Sequence, residues 1–197
     1  MIDGPLVFLD IDTQRDFLEP GGALFIPGSE RILDNLARLV RFALERDVPV
    51  IATACAHVPE DEELHVFPPH CLIGTPGQER IEATARRESV VLSPDTCLNS
   101  EPPLHLTLQK RRYDVFSHPD VGRLFDLYRQ DNPTFVVFGV ATDYCVSAAV
   151  SGLLDRGFRL ALVVDAIWAI DRDREPEILT GFAQRGALLT LTANVCS

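Results

Sequence analysis

Three segments, far apart in the chain, carry groups suited to thiol-based acyl chemistry. In "LDIDTQRDF", Asp10 and Asp12 lie two apart at the end of an apolar run, on one side of an extended chain, and Gln14 and Asp16 follow into the turn. A carboxylate at the C-terminal edge of a central strand is costly to bury unless it is paired or protonated, which makes Asp12 a candidate general base. The plainer reading has Asp16 capping a turn and Asp10 held by backbone donors. In "LQKRRYDVF", Lys110 stands beside two arginines and reads either as a solvated loop charge or as the cation that holds Asp12 and favours a nearby thiolate. In "GVATDYCVSAAV", an apolar strand breaks at Gly139 and restarts as a helix, with Cys145 in the first turn. Free N–H groups and the helix dipole there would stabilise a thiolate and receive an oxyanion. Taken alone, Cys145 reads equally well as a small buried hydrophobe.

A second constellation is rich in histidine. Cys55 and His57 alternate on one side of a strand, and His65 and His70 follow in a segment from His57 to Gly77 rich in Pro, Glu and His. A segment of about twenty residues without clear period is usually functional or disordered. One thiolate and two imidazoles would suit tetrahedral zinc, whereas an inert strand cysteine with hydrogen-bonded histidines is the alternative. His105, in an apolar alternation, and His118, before Pro119, read as structural or exposed. Phe17, Phe67 and Tyr113 flank the motifs and would wall a flat ring, or else fill the core.

The elements that must position these groups follow from the apolar runs. Residues 5–11, 48–56, 88–93, 134–141, 158–166 and 186–192 read as strands, several too continuously apolar to have a wet face. Residues 29–47 place Ile32, Leu33, Leu36, Leu39, Val40 and Ala43 at helical spacing, with Ser29 or Gly28 as the cap. Further helices are predicted at 119–131, 144–156 and 174–185. The alternation predicts a three-layer, doubly wound α/β fold of the Rossmann-like kind. Its mostly parallel, six-stranded sheet would be covered by helices on both faces. Ligands in such folds sit at the carboxyl ends of the strands, where the strand order reverses.

The 197 residues fit a single domain, 1–197. With 18 basic against 29 acidic residues, the net charge of −11 disfavours broad contact with nucleic acid or an anionic membrane and leaves a small molecule or a protein as partner. The opening "MIDGPLVFLDID" has no basic leader and reads as a strand, and no stretch approaches the roughly 18 apolar residues of a membrane span. Five scattered cysteines without a CxxC pair argue against a disulfide framework, so the expected location is the cytoplasm. Neither GxGxxG nor GxxxxGK[ST] occurs, so no nucleotide cofactor is expected.

Taken together, "DTQRDFLEPGGAL" (12–24), Lys110 in "LQKRRY", "GVATDYCVSAA" and "PPHCLIGTPG" (68–77) resemble the isochorismatase-like cysteine hydrolases, and most closely the nicotinamidase branch. The resemblance spans nearly the whole chain in the right order. It implies Asp12, Lys110 and Cys145 as the catalytic set, with the N–H groups of Ala141 and Cys145 as oxyanion hole after a cis bond at Val140–Ala141. Gln14, Phe17, Phe67 and Tyr113 are the expected pocket. The implied reaction is hydrolysis of a small amide, such as nicotinamide, through a Cys145 thioester with release of ammonia. The implied metal site is His57 and His70, with Cys55 where the branch carries Asp and with Glu63 or the displaced His65 at the middle histidine's place; zinc or iron is the expected ion. Homo-oligomers are common in such families. The competing readings are vinyl-ether hydrolysis of the isochorismatase type and a non-catalytic binding subunit on the same fold.

Overall fold

The apolar runs become strands buried on both faces because their alternate side chains enter two separate cores. In β1 (Leu6–Ile11), Val7, Leu9 and Ile11 face one core and Phe8 the other; in β5 (Thr134–Val140), Phe135 and Val137 oppose Val136, Phe138 and Val140. The computed structural model describes residues 2, 4–86, 88–98 and 101–197. The remaining strands are β2 (Val50–Cys55), β3 (Val90–Leu92), β4 (His105–Lys110), β6 (Arg159–Trp168) and β7 (Leu188–Thr190). They form one sheet in the order β3-β4-β2-β1-β5-β6-β7, and every paired neighbour runs parallel.

The doubly wound α/β expectation holds, with seven strands in place of six. The additional strand is β4, whose "HLTLQK" mixes polar residues into the run and ends on a lysine. Burial on both faces of a strand favours apolar side chains. Instead, Thr107 and Lys110 are buried in this one, Thr107 with its hydroxyl 2.8 Å from that of Ser89.

Helices cover both faces. On one side lie α1 (Arg15–Leu18), α2 (Leu33–Glu45) and α6 (Thr192–Val195), with Leu36, Leu39, Val40 and Ala43 of α2 forming the buried stripe that the spacing predicts. The first residues of that predicted helix, Ser29–Ile32, form a 3-10 turn, and Ser29 makes no side-chain cap. The other face carries α3 (Val121–Leu127), α4 (Ser147–Asp155) and α5 (Glu175–Gln184), which contribute Phe125, Val150 and Phe182 to the second core.

β2 pairs on one side of β1 and β5 on the other, so the order reverses at β1 and opens a crevice at the strands' carboxyl ends. Gly139 makes that closeness possible. Its φ of +114 is one that side chains rarely adopt, and an added Cβ would fall 2.0 Å from the Ile11 carbonyl oxygen. At the same point the β5–β6 register slips, from Val137 opposite Leu162 to Gly139 opposite Ile167.

Candidate active site

Asp12 follows the last residue of β1 with φ 46, which turns its side chain away from that of Asp10. The two carboxylates therefore do separate things. Asp10 is fully buried, paired with Arg80 and accepting a hydrogen bond from the Thr13 hydroxyl, so side chains hold it where backbone donors were the plainer expectation. Asp12, also fully buried, accepts from the Thr53 hydroxyl at 2.6 Å and from Lys110 Nζ at 2.7 Å. Lys110 is not on a surface loop: it ends β4, opposite Cys55 of β2, and is 1% exposed.

Cys145 arrives from the other side of the crevice. The helix predicted at 144–156 starts with a π-turn, Thr142–Val146, and Cys145 lies in that turn ahead of α4. The turn is tied down at several points. Tyr144 N–H and Val146 N–H both donate to the Ala141 carbonyl, the Thr142 hydroxyl donates to Glu175, and the Asp143 carboxylate accepts from Ile170 N–H and Asp171 N–H. The Val140–Ala141 peptide bond is cis. Lys110 Nζ lies 3.8 Å from Cys145 Sγ and 3.2 Å from Cys55 Sγ, so one ammonium touches both sulfurs and the Asp12 carboxylate.

Burial pushes the Asp12 carboxyl up to about 6, helped by the charge at Cys55 and opposed by Lys110. Burial disfavours the Lys110 ammonium, but Asp12, Cys145 and Cys55 together hold it well above the ordinary lysine range. The two thiols divide unequally. The hydrogen bond from Cys145, with Lys110, His57 and His70, holds Cys55 well below the usual thiol range, against its burial. Its bond to Cys55 and its own burial raise Cys145. The ammonium sits nearer Cys55, and two imidazoles adjoin that sulfur, so negative charge settles there.

A pocket opens onto Cys145, walled by Phe17, Phe67, Tyr113, Tyr144 and Ile170. No lysine or arginine lines it among the described residues. The Phe67 and Tyr144 rings meet edge to face at 5.2 Å. Outside it a wider groove carries Glu62, Arg112, Asp143 and Arg174. Phe17, Phe67 and Tyr113, expected as pocket residues, line the pocket at Cys145. Gln14 does not: its side-chain amide is fully buried and clamps the Cys55 backbone, accepting from Cys55 N–H at 2.7 Å and donating to Cys55 O at 2.8 Å. It positions Cys55 and is not part of the wall.

Cys55, His57 and His70 bring one ligand atom each within 4.8 Å of one another, all buried. His57 Nδ1 lies 3.0 Å from the Asp61 carboxylate and His70 Nδ1 lies 2.8 Å from the Pro68 carbonyl, which leaves each Nε2 free for the cluster. His65 is exposed on the 3-10 turn Glu62–His65 and does not join. Glu63 comes only to 3.8 Å from His57 Nε2, because its carboxylate accepts from Tyr113 N–H at 2.6 Å. Thr53, Asp61 and Tyr144 were not anticipated; of these only Asp61, four residues after His57, left a trace in the sequence.

The site and the parallel sheet together define a cysteine-centred α/β site at a topological switch point. Residues 7–194 match the isochorismatase domain, and the chain belongs to that family. It is 28% identical over 186 residues to the nicotinamidase of Escherichia coli (strain K12), covering 82% of each chain. Among solved structures it is similar to a nicotinamidase/pyrazinamidase from Bacillus subtilis, at TM-score 0.79 and 20% identity over 94% of this chain and 99% of that one. It is also similar to the pyrazinamidase of Pyrococcus horikoshii in complex with zinc, at TM-score 0.75 and 25% identity over 94% and 98%.

Removing the buried ammonium leaves two anionic groups without their cation. Lys110→Ala is expected to lower the urea-unfolding free energy at pH 8 by about 3–5 kcal/mol. The deficit should shrink at pH 5, where Asp12 takes up a proton. Equal stability of variant and parent at both pH values would show that the ammonium carries no such charge.

Proposed function

We propose that the protein is a cysteine amidohydrolase acting on a small, flat, neutral amide, with nicotinamide the first substrate to try. The observation that carries this reading is the meeting of Asp12, Lys110 and Cys145 beneath an aromatic pocket that Cys145 lines and whose wall has no lysine or arginine among the described residues. An anionic vinyl-ether substrate would find no side-chain ammonium or guanidinium among the described residues of that wall, whereas a neutral aromatic ring finds Phe67 and Tyr144. The relatives named nicotinamidase and pyrazinamidase support the same class.

The chemistry follows from the protonation pattern. The resting Cys145 thiol gives its proton to the Asp12 carboxylate as sulfur attacks the amide carbon. The oxyanion forms beside the N–H groups of Ala141 and Cys145. Collapse breaks the C–N bond, Asp12 returns the proton to the departing nitrogen, and ammonia leaves. Water, deprotonated by Asp12, then cleaves the thioester to give the acid and the free thiol. Throughout, Lys110 balances the anionic charge that moves between carboxylate and sulfur.

Cys55, His57 and His70 fit one divalent ion of the zinc class. The buried His57 Nε2 has no hydrogen-bond partner, and one thiolate with two imidazoles is a soft donor set that leaves a fourth position open. Bound there, the ion would act as a Lewis acid toward a lone-pair atom of substrate or water at the pocket's edge.

Ammonia release from nicotinamide is expected for the parent protein and a loss of at least about 10³-fold in kcat for Cys145→Ala and for Asp12→Asn. Because the base works only as a carboxylate, kcat/KM should fall about tenfold per pH unit below roughly pH 6. Activity that survives Cys145→Ala, or a profile flat down to pH 4.5, would remove the mechanism.

Elemental analysis of untagged protein should find about one zinc per chain. His57→Ala and His70→Ala should both lose it while Cys145→Ala keeps it. A metal content near zero in the parent would exclude the site.

A further inference from the structure

The covalent steps of the proposed hydrolysis leave unused a second buried thiol beside the nucleophile. Cys71 is buried apart, with its sulfur on the Gly77 carbonyl, and Cys97 is exposed. Cys55 and Cys145 differ from both. They approach from β2 and from the π-turn, line the same pocket, and share the Lys110 ammonium at 3.2 and 3.8 Å. Gln14 fixes the Cys55 backbone from both sides, and the Cys55 sulfur lies against the Lys110 ammonium that also touches Cys145.

We propose that Cys55 and Cys145 form an oxidisable dithiol, which a hydroperoxide converts to a reversible disulfide that closes the site. In the first step a thiolate of the pair attacks the terminal oxygen of ROOH, the O–O bond breaks, and the sulfur becomes a sulfenic acid as ROH leaves with a proton from the pocket. In the second, the other thiol attacks that sulfur, an S–S bond forms, and the hydroxyl leaves as water with that thiol's proton. The balance is two thiols and one hydroperoxide to one disulfide, one alcohol and one water; the sulfurs give two electrons and the O–O bond takes them. Lys110 serves both steps, favouring the attacking thiolate and donating a hydrogen bond to the departing oxygen.

The consequence is specific to this pairing. One bond consumes the nucleophile and the thiolate of the histidine cluster together, and it spares Cys145 the irreversible step to sulfinic acid. Closing it requires the two sulfurs, now both against the Lys110 ammonium, to come to about 2.05 Å.

The test is covalent and does not depend on amide turnover, so its failure is distinguishable from failure of the hydrolase reading. Full-length protein is dialysed against a chelator, exposed to a small excess of hydrogen peroxide, alkylated, and digested with trypsin without reductant. The expected product joins segment 47–80, which holds Cys55 and Cys71, to segment 130–156, which holds Cys145. The link should persist in Cys71→Ser, disappear in Cys55→Ser and open with dithiothreitol. In Cys55→Ser, Cys145 should instead be found as sulfinic acid. Unlinked segments with Cys145 as sulfinic acid in the parent protein, or a link that survives Cys55→Ser, would overturn the proposal.

Discussion

One buried ammonium organises this protein's crevice. Lys110 lies within 3.8 Å of a carboxylate and two sulfurs, and none of these groups is more than 8% exposed. An isolated charge in such a place would cost several kcal/mol, so the four groups are stable only as a set. That interdependence explains why strands from three positions in the sheet end at one point. β4 delivers the lysine, β2 the Cys55 sulfur and β1 the carboxylate, and the turn after β5 closes the set with Cys145. Around it, Thr53 and Gln14 hold the carboxylate and the Cys55 backbone in place by hydrogen bonds that leave few donors or acceptors unused.

The division of labour between the sulfurs follows from position. Cys55 adjoins the ammonium and two imidazoles and takes the negative charge; Cys145, farther from the ammonium and next to that charge, keeps its proton. A resting thiol suits a site whose base has been raised to about 6 by burial, because the proton then passes between groups of more similar affinity. In the proposed mechanism, desolvation thus brings the Asp12 carboxylate toward neutral pH, with Lys110 preventing a further rise.

Much of this was legible in the chain because the fold's periodicities and the chemical groups coincide. Each of β1, β2 and β5 announced itself as a continuous apolar run bounded by turn residues, and Asp12 and Cys145 stand at the ends of two of them. β4 was not legible as a strand, since its polar residues are satisfied by partners distant in sequence. For the same reason Lys110 could be placed by resemblance but not by pattern. Gln14 was misread as pocket wall because its partner, the Cys55 backbone, lies 41 residues away. His65 was misplaced by counting along a loop whose 3-10 turn aims the ring outward. The preference of charge for Cys55 depends on distances that no linear spacing encodes.

The central claim is that Cys145, and not its more acidic neighbour, makes the covalent bond to substrate. Rapid acid quench of the enzyme with excess nicotinamide, followed by mass spectrometry of the digested chain, locates that bond directly. The account requires a nicotinoyl adduct on the segment bearing Cys145, accumulating before steady state and absent from Cys55. An adduct on Cys55, or turnover to ammonia with no thioester on either sulfur, would contradict it.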